Sequence, residues 1–166
     1  PWRPLLLEWS MWGNCLLQVT TNIGWLFLVR TMPRYLDEVH QVPLVMRGVM
    51  TSVPIIVGIF GVFSGGLLAD SLVKRIGLKW GRRLPVVITR VTGAMGYGLC
   101  ILLSFLVPKE QAPTWMPWVY VAALSLVAIS TDIGVPSVWA FAQDVGGKYT
   151  ASILGWGNMW GNLGAA

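Results

Sequence analysis

The chain has 166 residues, of which 55% are hydrophobic and 11% are charged, and its formal net charge is +5. Soluble domains carry about 25% charged residues, so this chain has too few charges to cover a surface in water. The basic residues lie beside long apolar runs, which excludes a basic nucleic-acid-binding face and favours Lys and Arg at a membrane surface. A lipid bilayer is therefore the expected partner, and nucleic acid is not.

Five apolar segments follow one another along the chain. About 20 apolar residues in a helix cross a hydrocarbon core of about 30 Å. We predict helices near residues 9–32, 48–70, 84–107, 115–143 and 148–166, which makes the protein an all-α, polytopic membrane helix bundle of about five transmembrane helices. The chain starts at Pro1 and ends within an apolar run, so we expect a fragment of a longer protein.

Polar stripes run along the first and fifth predicted helices. Asn14, Gln18 and Asn22 are four residues apart and share one helical face, and Asn158 and Asn162 have the same spacing. Amides are costly against lipid, so each stripe faces either a neighbouring helix or a water-filled cavity. The sequence leaves both alternatives open.

Small residues also recur every four positions. The second helix has Gly61, Gly65 and Ala69, and the fifth has Gly157, Gly161 and Ala165. Such spacing predicts close approach of another helix.

Two charged residues fall inside predicted helices. For Arg90 we favour a side chain that snorkels to the membrane surface, over a buried ion pair. Asp132 is the candidate ion-coupling residue, because an ionisable group at membrane depth is a functional hypothesis by default. The alternatives for Asp132 are a cap at the bend made by Pro136, or a pairing with Arg90. His40, between the first two helices, is expected to be a solvated loop residue.

The segment that follows the second helix is strongly basic. Five of the 12 basic residues lie in it, namely Lys74, Arg75, Lys79, Arg82 and Arg83. Short basic loops stay in the cytoplasm, so we predict a cytoplasmic loop at 70–83 in a multi-pass protein of the cell (inner) membrane. By alternation, the loop at 144–148 is cytoplasmic, and the connections at 31–47 and 107–117 lie outside.

Motifs for catalysis are absent from the sequence. It has no Gly-rich phosphate loop, no HExxH, no nucleophile elbow and no cluster of His and Cys. We therefore predict no enzyme, no catalytic residue, no cofactor and no metal site.

The basic segment carries a family resemblance. Gly66 and Asp70, followed by Gly81, Arg82 and Arg83, resemble the cytoplasmic signature of the major facilitator superfamily, G-x-x-x-D followed by G-x-R/K-R/K. The match departs from the compact form, because residues 71–80 separate its two parts and Ser71 stands where a basic residue is usual.

The flanking segments narrow the resemblance. Residues 14–40 look like the seventh helix of the anion:cation symporter family, which includes hexuronate and galactonate transporters. Residues 135–166 look like the tenth and eleventh helices of that family. The resemblance implies that the chain is part of the C-terminal half, helices seven to eleven of twelve, and that the N-terminal half is a missing partner.

The resemblance implies secondary active transport of a small organic anion, a sugar acid or related carboxylate, by alternating access and coupled to a proton or sodium. It implies substrate-binding roles for Gln18, Asn22, Trp139, Asn158 and Asn162. It also implies a conformational switch made by Gly66, Asp70, Gly81, Arg82 and Arg83. The alternative function is a non-transporting membrane scaffold or assembly subunit that uses its glycine-rich helix faces.

Overall fold

The computed structural model describes residues 7–107 and 113–166, and every regular element in these ranges is helical. The elements, in chain order, are α1 (Trp9–Leu26), a π-helical turn (Phe27–Thr31), α2 (Met32–Glu38), α3 (Leu44–Ile76), α4 (Leu78–Leu106), α5 (Met116–Gly146), a 3-10 turn (Gly147–Tyr149) and α6 (Thr150–Gly164). The all-α prediction is confirmed. Part of the predicted outer connection, residues 108–112, lies outside the described residues.

Three helical segments among the described residues are long and apolar enough to cross a membrane: Leu44–Ile76, Leu78–Leu106 and Met116–Gly164. The last of them contains α5, the 3-10 turn and α6, which the sequence separates into two predicted helices. The first predicted helix is not among the three. The count of five transmembrane helices stays a prediction.

The basic segment is helical, which corrects the loop predicted at 70–83. Helix α3 continues to Ile76, α4 begins at Leu78, and Gly77 alone separates them. Leu, Lys and Arg favour helices, so the local sequence extends both helices beyond the apolar runs. Gly77 has φ +82° and ψ 166°, a backbone conformation that is essentially restricted to glycine.

The chain divides into two compact units. One contains the described residues up to Leu28 together with Val138–Ala166, so it holds α1, α6 and the end of α5. We call it the amide unit. The other, Val29–Ser137, holds α2, α3, α4 and most of α5, and we call it the charged unit.

Glycines set the packing inside the charged unit. A methyl group on Gly61 of α3 would lie 2.8 Å from the carbonyl oxygen of Ile129 on α5, and one on Gly65 would lie 2.7 Å from Cα of Ile133. The predicted close approach at this glycine stripe is confirmed. Helix α4 packs on α5 in the same way, because a methyl group on Gly96 would lie 2.6 Å from a methyl of Val127.

Large apolar side chains cover the outward faces of α3 and α4. Exposed examples are Ile55, Ile59, Phe60, Phe63, Leu67, Ile88, Val91, Met95, Leu102 and Phe105. A continuous apolar surface of this kind is costly in water and is favourable against lipid chains.

The predicted outer connection at 31–47 contains helix α2 and is tied to α3. An ion pair joins Arg47 to Asp37, with 2.6 Å between Nη1 and Oδ2. His40 is half-buried, with its ring centroid 5.3 Å from that of Tyr35 and 5.6 Å from that of Tyr120. The expectation of a solvated His40 is wrong, because the turn after α2 folds its ring against these aromatic side chains.

Candidate functional site

The amide stripe of α1 faces the glycines of α6 inside the amide unit. A methyl group on Gly157 would lie 3.3 Å from Nδ2 of Asn14 and 3.7 Å from Nε2 of Gln18. One on Gly161 would lie 2.6 Å from Nδ2 of Asn22. The amides thus fill the space that the missing glycine side chains leave, which supports the helix-contact alternative for this face.

The three α1 amides are not equally enclosed. Asn14 is buried, whereas Gln18 and Asn22 are half-buried. The last two therefore combine a packing contact with a surface from which an amide can reach a ligand.

Asn158 and Asn162 of α6 follow directly on the two glycines that contact α1. Both side chains are exposed, so they lie beside the α1–α6 contact rather than within it. Trp139, on α5 in the same unit, is 56% exposed. Gln18 and Asn22 thus contact the glycines that come directly before Asn158 and Asn162. The ring of Trp139 is exposed on α5.

This arrangement offers neutral hydrogen-bonding groups on an apolar background. Each amide carries two N–H donors and a carbonyl acceptor, which suits a ligand that has both carboxylate and hydroxyl groups. The tryptophan ring adds an apolar wall and one N–H donor.

Asp132 and Arg90 lie in the charged unit. Asp132 is 8% exposed, and its carboxylate contacts α3 at Gly58. Arg90 points to α5, where its Nη2 lies 3.8 Å from the position that a methyl group on Gly134 would occupy, and it interacts electrostatically with Asp132. The head group of Arg90 is thus turned toward α5 but forms no ion pair within 4.0 Å in the described part of the chain, and its snorkelling to the membrane surface stays a prediction.

The residues of the predicted switch lie at the α3–α4 junction. Asp70 on α3 forms an ion pair with Arg82 on α4, with 3.5 Å between Oδ1 and Nη1. A methyl group on Gly81 would lie 2.6 Å from Cα of Val73, so this glycine permits the two helices to approach. Nothing lies within 4 Å of the corresponding position at Gly66, and Arg83 is exposed.

Two aromatic groups escaped the sequence reasoning. In the amide unit, the ring of Trp160 lies 5.7 Å from that of Trp12 and 6.3 Å from that of Trp156. In the charged unit, Tyr35 and Tyr120 lie 5.2 Å apart beside His40. Trp156 and Trp160 are four residues apart on α6, but Trp12 lies on α1, and Tyr120 lies on α5 far from Tyr35, so no local pattern links the members of either cluster.

A cavity of about 400 Å³ lies near the second aromatic cluster, where the α2–α3 connection meets the start of α5. Its walls include His40, Met46 and Trp118. None of the predicted substrate-binding residues lines it. The described residues contain no group of three or more His, Cys, Asp or Glu side chains suited to a metal ion.

These observations define a class of protein: a multi-pass helical membrane protein with polar groups held between closely packed helices. The sequence profile of the Major Facilitator Superfamily matches residues 1–166, and the chain belongs to this family. The family predicted from the sequence is confirmed. Its members are transporters and not enzymes, as the missing catalytic motifs lead us to expect.

Three relatives illustrate the branch of the family. A probable galactarate/D-glucarate transporter of Pseudomonas putida is 28% identical over 163 residues, which cover 97% of this chain and 33% of that protein. A probable L-galactonate transporter of Escherichia coli is 28% identical over 154 residues, 92% of this chain and 32% of the relative. A probable sulfoacetate transporter of Cupriavidus necator is 28% identical over 157 residues, 93% of this chain and 33% of the relative.

The chain spans about one third of the length of these relatives. No solved structure gives a significant match to it.

Proposed function

We propose that this chain is part of a secondary active transporter that carries a small organic anion, a sugar acid or a related carboxylate, across the cell (inner) membrane. One observation carries the proposal: relatives aligned over nearly the whole chain are named as transporters of galactarate or glucarate, galactonate and sulfoacetate. These substrates share a small size and an anionic group.

The substrate site proposed for this chain lies in the amide unit. Its members are Gln18, Asn22, Trp139, Asn158 and Asn162. The exposure of Asn158, Asn162 and Trp139 supports this role, because side chains that are not buried within their unit can contact a ligand. The amides donate to the carboxylate and exchange hydrogen bonds with hydroxyl groups, and the tryptophan ring excludes water from one side.

A second half of the transporter is part of the same proposal. The chain spans about one third of its relatives, so we infer that a longer protein supplies an N-terminal half. The anion binds between the halves, which rock to open the site to each side in turn. The ion pair between Asp70 and Arg82 is proposed to hold the cytoplasmic side together in one of these states, with residues 70–83 and 144–148 in the cytoplasm.

Coupling to a cation, a proton or sodium, completes the proposal, with Asp132 as the coupling residue. Its burial at membrane depth supports this role, since an ionised carboxylate there is retained at a cost.

The scaffold alternative is not favoured. It needs glycine faces that are free for another protein, but Gly58, Gly61 and Gly65 pack on α5, and Gly157 and Gly161 pack on α1.

Uptake by the complete gene product tests the proposal. Cells that lack their own sugar-acid transporters would express it, and uptake of labelled galactonate, glucarate and sulfoacetate would be measured. We expect saturable uptake of at least one of them. Absence of uptake of all three, with the protein present in the membrane, would contradict the proposed function.

A matched pair of amide variants tests the site. Asn158→Ala removes an exposed amide and is expected to raise the KM for uptake without lowering the amount of protein in the membrane. Asn14→Ala removes the buried amide against Gly157 and is expected to lower the amount of folded protein instead. Unchanged uptake kinetics in both Asn158→Ala and Gln18→Ala would reject the site but not the function.

A further inference from the structure

Asp132 occupies a hollow that only glycines provide. It lies near the middle of α5, and a methyl group on Gly58 of α3 would collide with its carboxylate. A methyl group on Gly61, one turn further along, would lie 3.0 Å from Cβ of Asp132. The two glycines thus let α3 approach α5 closely enough to cover the acid.

The carboxylate of Asp132 contacts α3, the guanidinium of Arg90 reaches α5 beside Gly134, and no direct contact joins the two groups. The two groups interact electrostatically, yet among the described residues they form no ion pair within 4.0 Å. The Nε atom of Arg90 is buried and has no hydrogen-bond partner in the described part of the chain. Two charges at membrane depth are therefore close enough to stabilise each other and are not locked together.

Near Asp132, the described parts of helices α3, α4 and α5 carry no charged residue other than Arg90. Helix α4 presents Arg90, with Tyr97 two turns further on, and α3 presents Gly58 and Gly61, with no titratable residue between Arg47 and Asp70. On α5 the neighbouring titratable residues are Tyr120 and Asp144, each about three turns from Asp132. Besides its burial, Arg90 is therefore the charged group that acts on Asp132.

The surroundings of Asp132 suit a proton better than a sodium ion. A hard metal cation takes several oxygen ligands, whereas the hollow is formed by glycines and by a helix backbone whose carbonyls bond within the helix. The nearby guanidinium would also repel a metal cation. A proton needs only the carboxylate oxygen.

We propose that Asp132 and Arg90 form a proton-linked charge pair within the charged unit, in which Asp132 takes up the proton and Arg90 is its positioning residue. The step is binding of one proton to a carboxylate oxygen, which changes the pair from net neutral to net positive and frees Arg90 from its counter-charge. Release of the proton restores the neutral pair. The inference rests on the proposed function, because it assigns the coupling ion and the residue that controls it.

Single and double variants of the complete gene product separate coupling from structure. Arg90→Gln and Asp132→Asn each leave one buried charge unbalanced, and each is expected to reduce accumulation of labelled anion driven by a pH gradient by about tenfold or more. The double variant has no unbalanced charge. It is expected to recover the parent's level in the membrane and its exchange of internal for external anion, but not proton-driven accumulation.

Two control variants complete the set. Arg90→Lys keeps the charge and is expected to retain a large part of the accumulation. Arg75→Gln removes one exposed positive charge at the end of α3 and is expected to accumulate anion like the parent. Full accumulation by the double variant, or by Arg90→Gln alone, would overturn the proposal and leave the pair a structural one.

An infrared pH titration of the purified protein decides the inference even if no transported anion is found. We expect acidification to produce the C=O stretch of a protonated carboxyl group that is absent in Asp132→Asn. In Arg90→Gln the same band is expected at higher pH than in the parent, because loss of a nearby cation favours the neutral acid. A spectrum that Asp132→Asn leaves unchanged, or a titration that Arg90→Gln does not move, would refute the proton-linked pair.

Discussion

The amide unit and the charged unit use glycine in the same way but hold different polar groups with it. In the amide unit, Gly157 and Gly161 make room for the side-chain amides of α1. In the charged unit, Gly58 and Gly61 make room for a carboxylate, and Gly65 lets the backbones of α3 and α5 approach.

The difference lies in what each contact can tolerate. An amide is neutral, it rotates about its side-chain bonds, and it finds donors and acceptors in many orientations. A buried carboxylate needs a compensating charge, and a helix backbone cannot move without moving the helix. The charged unit should therefore be the more rigid of the two, and the amide unit should be the more adaptable to a ligand.

The largest effect is expected at Gly65, where the contact is with backbone. Gly65→Ala places a methyl group 2.7 Å from Cα of Ile133, and we expect it to lower the free energy of unfolding by about 1–3 kcal/mol. The neighbouring Gly66 is the matched control, because nothing lies within 4 Å of its added methyl group. Gly66→Ala should raise the same free energy by about 0.5–1 kcal/mol, as expected for Gly to Ala within a helix.

Thermal unfolding of the two variants in detergent measures the contrast. Equal stability of the Gly65→Ala and Gly66→Ala proteins would mean that α3 and α5 are not held in close contact at Gly65. It would contradict the prediction that the charged unit is the more rigid of the two.

A smaller effect is expected at Gly161, where the contact is the end of a side chain. Gly161→Ala places a methyl group 2.6 Å from Nδ2 of Asn22, and rotation of that amide should limit the cost to less than about 1.5 kcal/mol. Gly155→Ala, with nothing within 4 Å, is the control on the same helix. Thermal unfolding again provides the measurement.

A second substitution tests the cause of that loss. Removing the amide with Asn22→Ala in the Gly161→Ala protein should restore part of the stability. A loss at Gly161 as large as that at Gly65, without rescue by Asn22→Ala, would show that the two units respond alike.

The sequence predicts the glycine contacts well because they depend on a local property. A missing side chain every four residues marks a helix face that another helix can approach, whichever helix that is. The stripe of Gly61, Gly65 and Ala69 therefore selects Gly65 and not the neighbouring Gly66, and Gly65 is the residue that contacts the backbone of α5. Gly58 lies outside this four-residue repeat, so the sequence does not single out the space that it leaves for Asp132.

The features that the sequence does not predict have separate physical causes. The segment 70–83 is helical on both sides of Gly77, because its Leu, Lys and Arg residues favour a helix even though its charges are typical of a connection outside the membrane. The approach of Arg90 to α5 has no local signal, because Gly134 lies on another helix, far away in sequence. For the substrate site, the spacing of Asn158 and Asn162 predicts a shared face, but which ligand meets that face depends on parts of the transporter beyond this chain's own contacts.

The exposed ion pair of Asp70 and Arg82 should respond to salt differently from the buried charges of Asp132 and Arg90. Asp70 is 70% exposed and Arg82 is 19% exposed, so Asp70→Asn is expected to lower the free energy of unfolding by less than about 1 kcal/mol. The loss should disappear at high salt, because salt screens exposed charges. The effect of Asp132→Asn should persist at high salt, since buried charges are screened much less.

Unfolding of both variants at low and high salt makes the measurement. The same salt dependence for Asp70→Asn and Asp132→Asn would mean that Asp132 is reached by solvent ions, which would contradict its placement between α3 and α5.

The last effect is absent at neutral pH and develops only in alkali, where the hydroxyl group of Tyr35 in the charged unit loses its proton. Burial, together with the neighbouring Tyr120, raises the pKa of Tyr35 from 10.0 to about 12. The folded protein therefore holds this proton more tightly than the unfolded chain does. The resulting contribution to stability is complete below about pH 10 and is lost as the pH rises toward 12, because the unfolded chain ionises first.

The Tyr35→Phe variant tests this effect. Between about pH 10 and about pH 12 it should lose less stability than the parent, as measured by denaturant unfolding at each pH. In the parent, the tyrosinate absorbance that the variant lacks should develop above about pH 10. Two results would mean that the Tyr35 hydroxyl is solvated. One is that the parent and the variant lose stability in parallel as the pH rises, and the other is that the absorbance missing from the variant titrates at about pH 10 in the parent. Asp132 would then be the buried titratable group on which the comparison of the two units depends.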